Sequence, residues 1–327
     1  MRLSTHIYPD LFELETIMNN QKTNPQIPRN LKGEYLIKQS ELISMLNDDT
    51  HGYGYYHLTT WPSLCKMLDF VPVPDDTSKH RMLHFGAAVN MNDIKDKRCG
   101  NNVFFTSFSY GPTENISMWT NYGIPNAAAV RVKFRRDSIL KWIGDFMNGK
   151  IRVYGVDSSG LLTPLTTKVE VKHVNVAYWS KKDVGLNSKD PNEGLFFYNN
   201  AKYRLTDCRD VNKFMEERQY FFKEYGWNYE REVRLVLVFE EDLADQFKRV
   251  AVPFDGPLSW VLNDFSRYVM QGPWFNERTA PTTTAAGHRL NEAAPSRYSG
   301  LVKMRSVCDV CLDQIKENCV CPYRGQR

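Results

Sequence analysis

The residues with the clearest chemical potential are Glu230 and Glu232 in the segment Trp227-Asn228-Tyr229-Glu230-Arg231-Glu232-Val233-Arg234-Leu235-Val236-Leu237-Val238-Phe239. A carboxylate pair can stabilise positive charge that develops on a substrate and can also take a proton from a nucleophile. The apolar run after Glu232 reads as a strand. Strand side chains alternate between faces, which puts Glu230, Glu232 and Arg234 on one face and Arg231, Val233 and Leu235 on the other. The bland alternative is a solvated edge strand with paired charges.

The second group is thiolate. Of seven cysteines, Cys65, Cys99 and Cys208 are scattered, whereas Cys308, Cys311, Cys319 and Cys321 crowd the C-terminus. An odd total clustered this way points away from a disulfide framework and towards tetrahedral zinc, with reduced thiols as the alternative. Arg297, Lys303, Arg305, Lys316, Arg324 and Arg327 make this tail basic, so nucleic acid or a protein partner fits it. The third group lies earlier. His57 follows paired tyrosines, and Thr106, Ser107 and Ser109 alternate with aromatics in Phe104-Phe105-Thr106-Ser107-Phe108-Ser109. Tyr122, Trp119 and Tyr229 offer rings for stacking, though most such rings fill cores.

These groups need a scaffold. With 327 residues and 42% hydrophobic content the chain can bury one large core or two ordinary ones. The 42 Lys+Arg against 38 Asp+Glu leave a net charge of only +4, which neither requires nor excludes a nucleic-acid partner. No apolar run of membrane-spanning length and no secretory leader is legible, so a cytoplasmic location without membrane contact is expected.

Residues 1–52 read as an accessory segment with helix-like stretches over Asp10–Asn19 and Ser40–Leu46. Strands are predicted over Gly54–Leu58, Val103–Phe108, Ala128–Phe134, Val169–Tyr178 and Val233–Phe239. Helices are predicted over Trp61–Leu68, with Thr60 or Ser63 as cap, and over Thr113–Tyr122, Arg136–Met147 and Arg209–Phe222. Strict strand–helix alternation is missing, which favours an α+β domain over residues 53–270. Residues 271–300, with Pro281 and the run Thr282-Thr283-Thr284, read as a linker, and 301–327 as the cysteine-rich tail.

The order of these motifs resembles a known family. Tyr55-Tyr56-His57-Leu58-Thr59, the Asn92-Asp93 turn, the Thr106–Ser109 strand, Met118-Trp119-x-x-Tyr122 and Trp227-x-Tyr229-Glu230-x-Glu232-x-Arg234 are similar to a bacterial family long catalogued as a domain of unknown function. That family looks like a divergent branch of the ADP-ribosyltransferases, with members in abortive-infection and toxin–antitoxin loci. The likeness spans about Tyr53 to Glu240; Ile94 stands where many relatives have proline. It implies a split β-sandwich with surrounding helices and NAD as co-substrate. It also implies cofactor contacts from His57, Thr59, Thr106, Ser107, Ser109 and Tyr122, with Glu232 on the ribose and Glu230 activating the acceptor. A neutralising antitoxin and an RNA, DNA or protein acceptor would follow, RNA first. A non-catalytic binding module and an NAD hydrolase are the competing expectations.

Overall fold

The computed structural model describes residues 28–48, 54–74, 77–91, 99–111, 114–115, 117–119, 129–180, 195–273, 283–284, 287–289 and 292–299. In chain order the first half gives β1 (Tyr35–Ile37), α1 (Gln39–Asn47), β2 (Tyr55–Thr60), α2 (Trp61–Leu68), β3 (Val71–Pro72), β4 (Lys79–His80), β5 (Met82–Ala87), β6 (Val103–Tyr110), β7 (Ala129–Phe134), α3 (Arg136–Met147), β8 (Tyr154–Val156) and β9 (Leu162–Pro164). The second half gives β10 (Val169–Asn175), β11 (Ala177–Ser180), β12 (Leu195–Tyr198), β13 (Ala201–Leu205), α4 (Val211–Glu216), β14 (Phe222–Glu224), β15 (Glu232–Phe239), β16 (Arg249–Pro253), α5 (Asp255–Asn263), α6 (Phe265–Tyr268), β17 (Val269–Gln271) and β18 (Ala294–Pro295). The fold is α+β, as the sequence indicates.

The strands form two main sheets. The smaller has the order β1-β13-β12-β11-β14. The larger has eleven strands among the described residues and branches at β6. Along one edge of β6 runs β15, in register from Glu232↔Ser109 to Val238↔Val103. The other edge is shared, with β2 pairing at Tyr110 and Ser109 and β5 pairing at Phe105 and Phe104. Between these two branches the sheet splits.

Alternation along β15 divides the interior into two cores. Val233, Leu235, Leu237 and Phe239 enter the first, with Phe104, Phe108, Phe134, Trp142 and Phe254. Val236 joins the second, where Phe105 and Val174 of the larger sheet meet Phe196, Tyr198 and Phe222 of the smaller. Leu42 and Leu46 of α1 are fully buried in this second core, and β1 pairs in parallel with β13, so β1 and α1 are tied to the smaller sheet.

Local signals account for most boundaries. The Thr60 side chain caps α2 by accepting the Ser63 N–H at 3.3 Å. A two-residue Asn199–Asn200 turn with φ of 49° and 62° closes β12 onto β13, since asparagine tolerates the left-handed region that such hairpins need.

Two expectations need correction. The strand predicted over Val169–Tyr178 is two strands in different sheets, β10 beside β15 and β11 beside β12 and β14. The chain changes sheet at Val176, whose N–H still reaches the Glu232 carbonyl at 3.0 Å. The helix predicted over Arg209–Phe222 ends at Glu216, because Phe221 and Phe222 are buried and residues 222–224 pair with β11. Within the segment read as a linker, residues 292–299 dock on the body. There β18 pairs with β17, Ser296 donates to the Glu114 carboxylate, and the Arg297 N–H reaches that carboxylate at 3.0 Å. Among the described residues no helix is long and apolar enough to cross a membrane.

Candidate functional site

At the entrance to β15 the chain makes a 3₁₀ turn over Tyr225–Glu230 and then places Arg231 in the left-handed region, with φ 45° and ψ 57°. A non-glycine residue there costs on the order of 1 kcal/mol. The Arg231 carbonyl accepts the Tyr110 N–H at 2.9 Å, which fixes the turn against β6. Glu230 therefore precedes the strand. It still faces the same way as Glu232, because both carboxylates reach one cation: Lys223 Nζ lies 2.6 Å from Glu230 Oε2 and 3.1 Å from Glu232 Oε2.

Glu232 is engaged on every side. Arg234 donates to its two oxygens at 2.7 and 3.3 Å, Ser107 Oγ–H donates to Oε1, and its own N–H donates to the Tyr178 hydroxyl at 2.8 Å. The guanidinium of Arg234 also lies over the Phe105 ring, 4.4 Å from its centre. Lys223, Glu230, Glu232 and Arg234 are all at most 7% exposed. Two cations meet two anions, which offsets a desolvation cost of several kcal/mol per ion.

Burial pushes the Glu232 carboxyl up, but the charges of Arg234 and Lys223 and the hydrogen bonds from Arg234 and Ser107 outweigh it and hold the group far below the usual carboxylate range. Burial likewise lowers the Lys223 ammonium, and Glu232 and Glu230 together reverse this and hold it above its usual value. The Tyr178 hydroxyl is driven well above the ordinary phenol range by burial and by the Glu232 charge.

Beside this cluster a cavity of about 240 Å³ opens at the mouth between the two sheets. Ser109, Arg131, Asn200, Tyr229, Glu230 and Trp119 are on its wall. Glu232 is not among the lining residues, so Glu230 is the carboxylate that meets the cavity. Arg131 is 7% exposed, donates to the Gly111 carbonyl at 2.9 Å and lies 3.9 Å above the Tyr56 ring. Burial lowers its pKa, while Tyr56 and Glu114 oppose the shift.

The pleat sorts the expected residues. Ser107, Ser109, Glu230 and Glu232 gather on the face towards the smaller sheet. Thr106 shares the opposite face with Phe104 and Phe108, and His57 and Thr59 share it with Tyr55. None of these three lines the cavity.

His57 instead spans the split. Because Tyr110 N–H points to β15 and amide directions alternate, the Ser107 carbonyl faces the gap that β2 has left, and His57 Nδ1 meets it at 2.9 Å. A carbonyl only accepts, so Nδ1 carries the proton. Burial lowers the pKa of His57, against the Ser107 bond.

Tyr122 and Cys308, Cys311, Cys319 and Cys321 lie outside the described residues, as does the Asn92-Asp93 turn. Among the described residues no group of three or more His, Cys, Asp or Glu side chains is arranged to hold a metal. Lys223, Arg131 and Tyr178 are the members of the site that sequence reasoning missed. For Lys223 no strand signal was legible: Phe222-Lys223-Glu224 is one apolar residue followed by two charged ones, and it continues a helical pattern. Comparison with protein-family models, with curated proteins and with solved structures found no match to the chain.

Proposed function

We propose that this protein is an NAD-dependent ADP-ribosyltransferase acting as a growth-inhibiting toxin, within a toxin–antitoxin or phage-defence system. One observation carries the proposal. The middle-strand serines and the late glutamates gather at the mouth between two sheets, with Ser107 bonded to Glu232 and with Ser109 and Glu230 on the wall of one cavity. The motif resemblance implies a split sandwich with those serines and glutamates lining the cofactor's cleft, and their convergence here supports that reading.

The residues present suit part of NAD. The cavity is smaller than the roughly 300–1,000 Å³ of ordinary small-molecule sites, so it suits one end of a dinucleotide. Tyr229 and Trp119 offer rings, Arg131 offers positive charge and Glu230 offers a carboxylate. Cleavage of the nicotinamide–ribose bond builds positive charge on the ribose, and a fixed anion that faces this charge lowers the barrier. In this reading Glu232, held ionised by Arg234 and Lys223, supplies the field and fixes Ser107, while Glu230 takes the acceptor's proton. An RNA acceptor comes first and DNA or protein next, with an antitoxin masking the site in the resting cell. The tail cysteines are assigned to zinc.

A second reading, a non-catalytic module that binds nucleic acid or protein, is favoured by the complete pairing of the Glu232 carboxylate. Labelled NAD incubated with the protein, with and without RNA, DNA and lysate protein, separates the readings. Transfer places label on one acceptor, NAD hydrolysis releases nicotinamide without an acceptor, and a binding module releases none.

A further inference from the structure

Away from the cleft, Ser78, His80 and Asp255 make a hydrogen-bonded chain. Ser78 Oγ is 2.6 Å from His80 Nε2, and His80 Nδ1 is 2.7 Å from Asp255 Oδ2. Ser78 and His80 are two residues apart on an extended segment and so share a face. Asp255 arrives from far along the chain as the first residue of α5. It is brought there by the pairing of β16 with β5 and by the Phe254 N–H, which reaches the Arg81 carbonyl at 2.8 Å. The second oxygen of Asp255 accepts the Arg81 N–H at 3.0 Å, so the carboxylate is held from both sides.

The atom order matters. A carboxylate only accepts, so in the neutral imidazole Nδ1 carries the proton and Nε2 is the acceptor. Ser78 Oγ–H then donates to Nε2, which is the polarity that makes a serine nucleophilic: base beside the hydroxyl, and the base oriented by an acid. A hydroxyl that only braced the β3–β4 hairpin would have no need of the third group.

We propose that Ser78, His80 and Asp255 form a second nucleophilic centre, at which Ser78 accepts an acyl group from an activated ester or thioester. Ser78 Oγ bonds to the carbonyl carbon as His80 Nε2 takes its proton. The bond to the leaving oxygen or sulfur then breaks, and the proton passes from His80 to the departing alcohol or thiol. Water repeats the sequence on the acyl-serine, releasing the acid. The side chains of His80 and Asp255 are 29% and 38% exposed. Charge developing in such an open site is stabilised weakly, which restricts the donor to those with good leaving groups.

The test uses the full chain with p-nitrophenyl acetate and, separately, an acetyl thioester of N-acetylcysteamine, followed by mass spectrometry of the digested protein. Acetylation concentrated on Ser78 is expected, lost in Ser78→Ala, retained in Ser78→Cys, and slowed about a hundredfold in His80→Gln and Asp255→Asn. Thermal unfolding of each variant verifies that the fold persists. Acetylation of Ser78 at the same rate in wild type and in folded His80→Gln overturns the proposal and leaves a hairpin brace. Acetyl groups spread evenly over surface serines overturn it equally.

Discussion

Lys223 Nζ lies 2.6 Å from Glu230 Oε2, with the two side chains 8% and 3% exposed. The same ammonium reaches Glu232, so one cation compensates the two carboxylates to which the proposed chemistry is assigned. Replacement of Lys223 by Met removes the cation shared by two buried anions, of which Glu232 keeps Arg234. Loss of one partner from such a cluster costs about 3–5 kcal/mol, and urea unfolding of Lys223→Met should show an unfolding free energy lower by that amount, read as a lower midpoint at unchanged slope. An unchanged midpoint would mean that the cluster is solvated in solution.

Glu230→Gln and Glu232→Gln should separate stability from chemistry. Glu232→Gln removes the carboxylate charge paired with Arg234, a fully buried cation, and is expected to lower both the melting temperature and nicotinamide release. Glu230→Gln removes the carboxylate on the cavity wall while Lys223 keeps Glu232 as a partner. That variant should retain most of its stability, bind NAD nearly as wild type does, and lose transfer to the acceptor. Full transfer by a folded Glu230→Gln protein removes this residue from the mechanism.

His57 carries a different expectation. Its Nδ1–H satisfies the Ser107 carbonyl at the sheet split, so His57→Ala exposes a backbone acceptor and a gap between the branches. The destabilisation should be about 1–3 kcal/mol. Nicotinamide release per folded molecule should stay within a fewfold of wild type. A large rise in the KM for NAD with an unchanged melting temperature would instead put His57 in contact with the cofactor.

Acid should weaken the fold through His84. Burial, with Arg249 and Lys66 nearby, lowers its pKa from 6.5 to about 4, and its Nδ1 is buried without a hydrogen-bond partner among the described residues. Between those two values the unfolded chain binds a proton that the folded chain refuses, so stability rises with pH and falls as pH drops from 6.5 towards 4. The contribution is at most about 3 kcal/mol, less whatever solvent screening removes. Melting curves of His84→Gln across this window should be flatter than those of wild type. Parallel curves would assign the acid sensitivity to other groups.

The four tail cysteines should bind about one zinc ion per chain in protein prepared without chelator. Truncation after Ser299 retains the segment that docks on Glu114 and should leave nicotinamide release intact. Four freely titratable thiols with no metal would end the zinc assignment.

The sequence by itself determined the pieces that depend on local periodicity. Helix α3 follows the predicted Arg136–Met147 and α2 the predicted Trp61–Leu68, because each buries one apolar stripe. The β15 run was legible because Val233, Leu235, Leu237 and Phe239 alternate into one core. The shared direction of Glu230 and Glu232 was also anticipated, although it arises from a left-handed Arg231 and a common lysine and not from strand alternation.

Tertiary structure alone decided the rest. Lys223 joins the glutamates because β14 pairs with β11, a contact between segments whose own sequences do not encode each other. Val176 divides one apparent strand between two sheets because the residues on either side of it pair with different strands, Asn175 with Val233 of β15 and Ala177 with Phe222 of β14. His57 reaches the Ser107 carbonyl because β2 pairs with β6 only at Tyr55 and Tyr56, and no residue near His57 records where that pairing stops. Local patterns fix which side chains alternate; which partner each face meets is a long-range choice, set by how two sheets and their helices close over two cores.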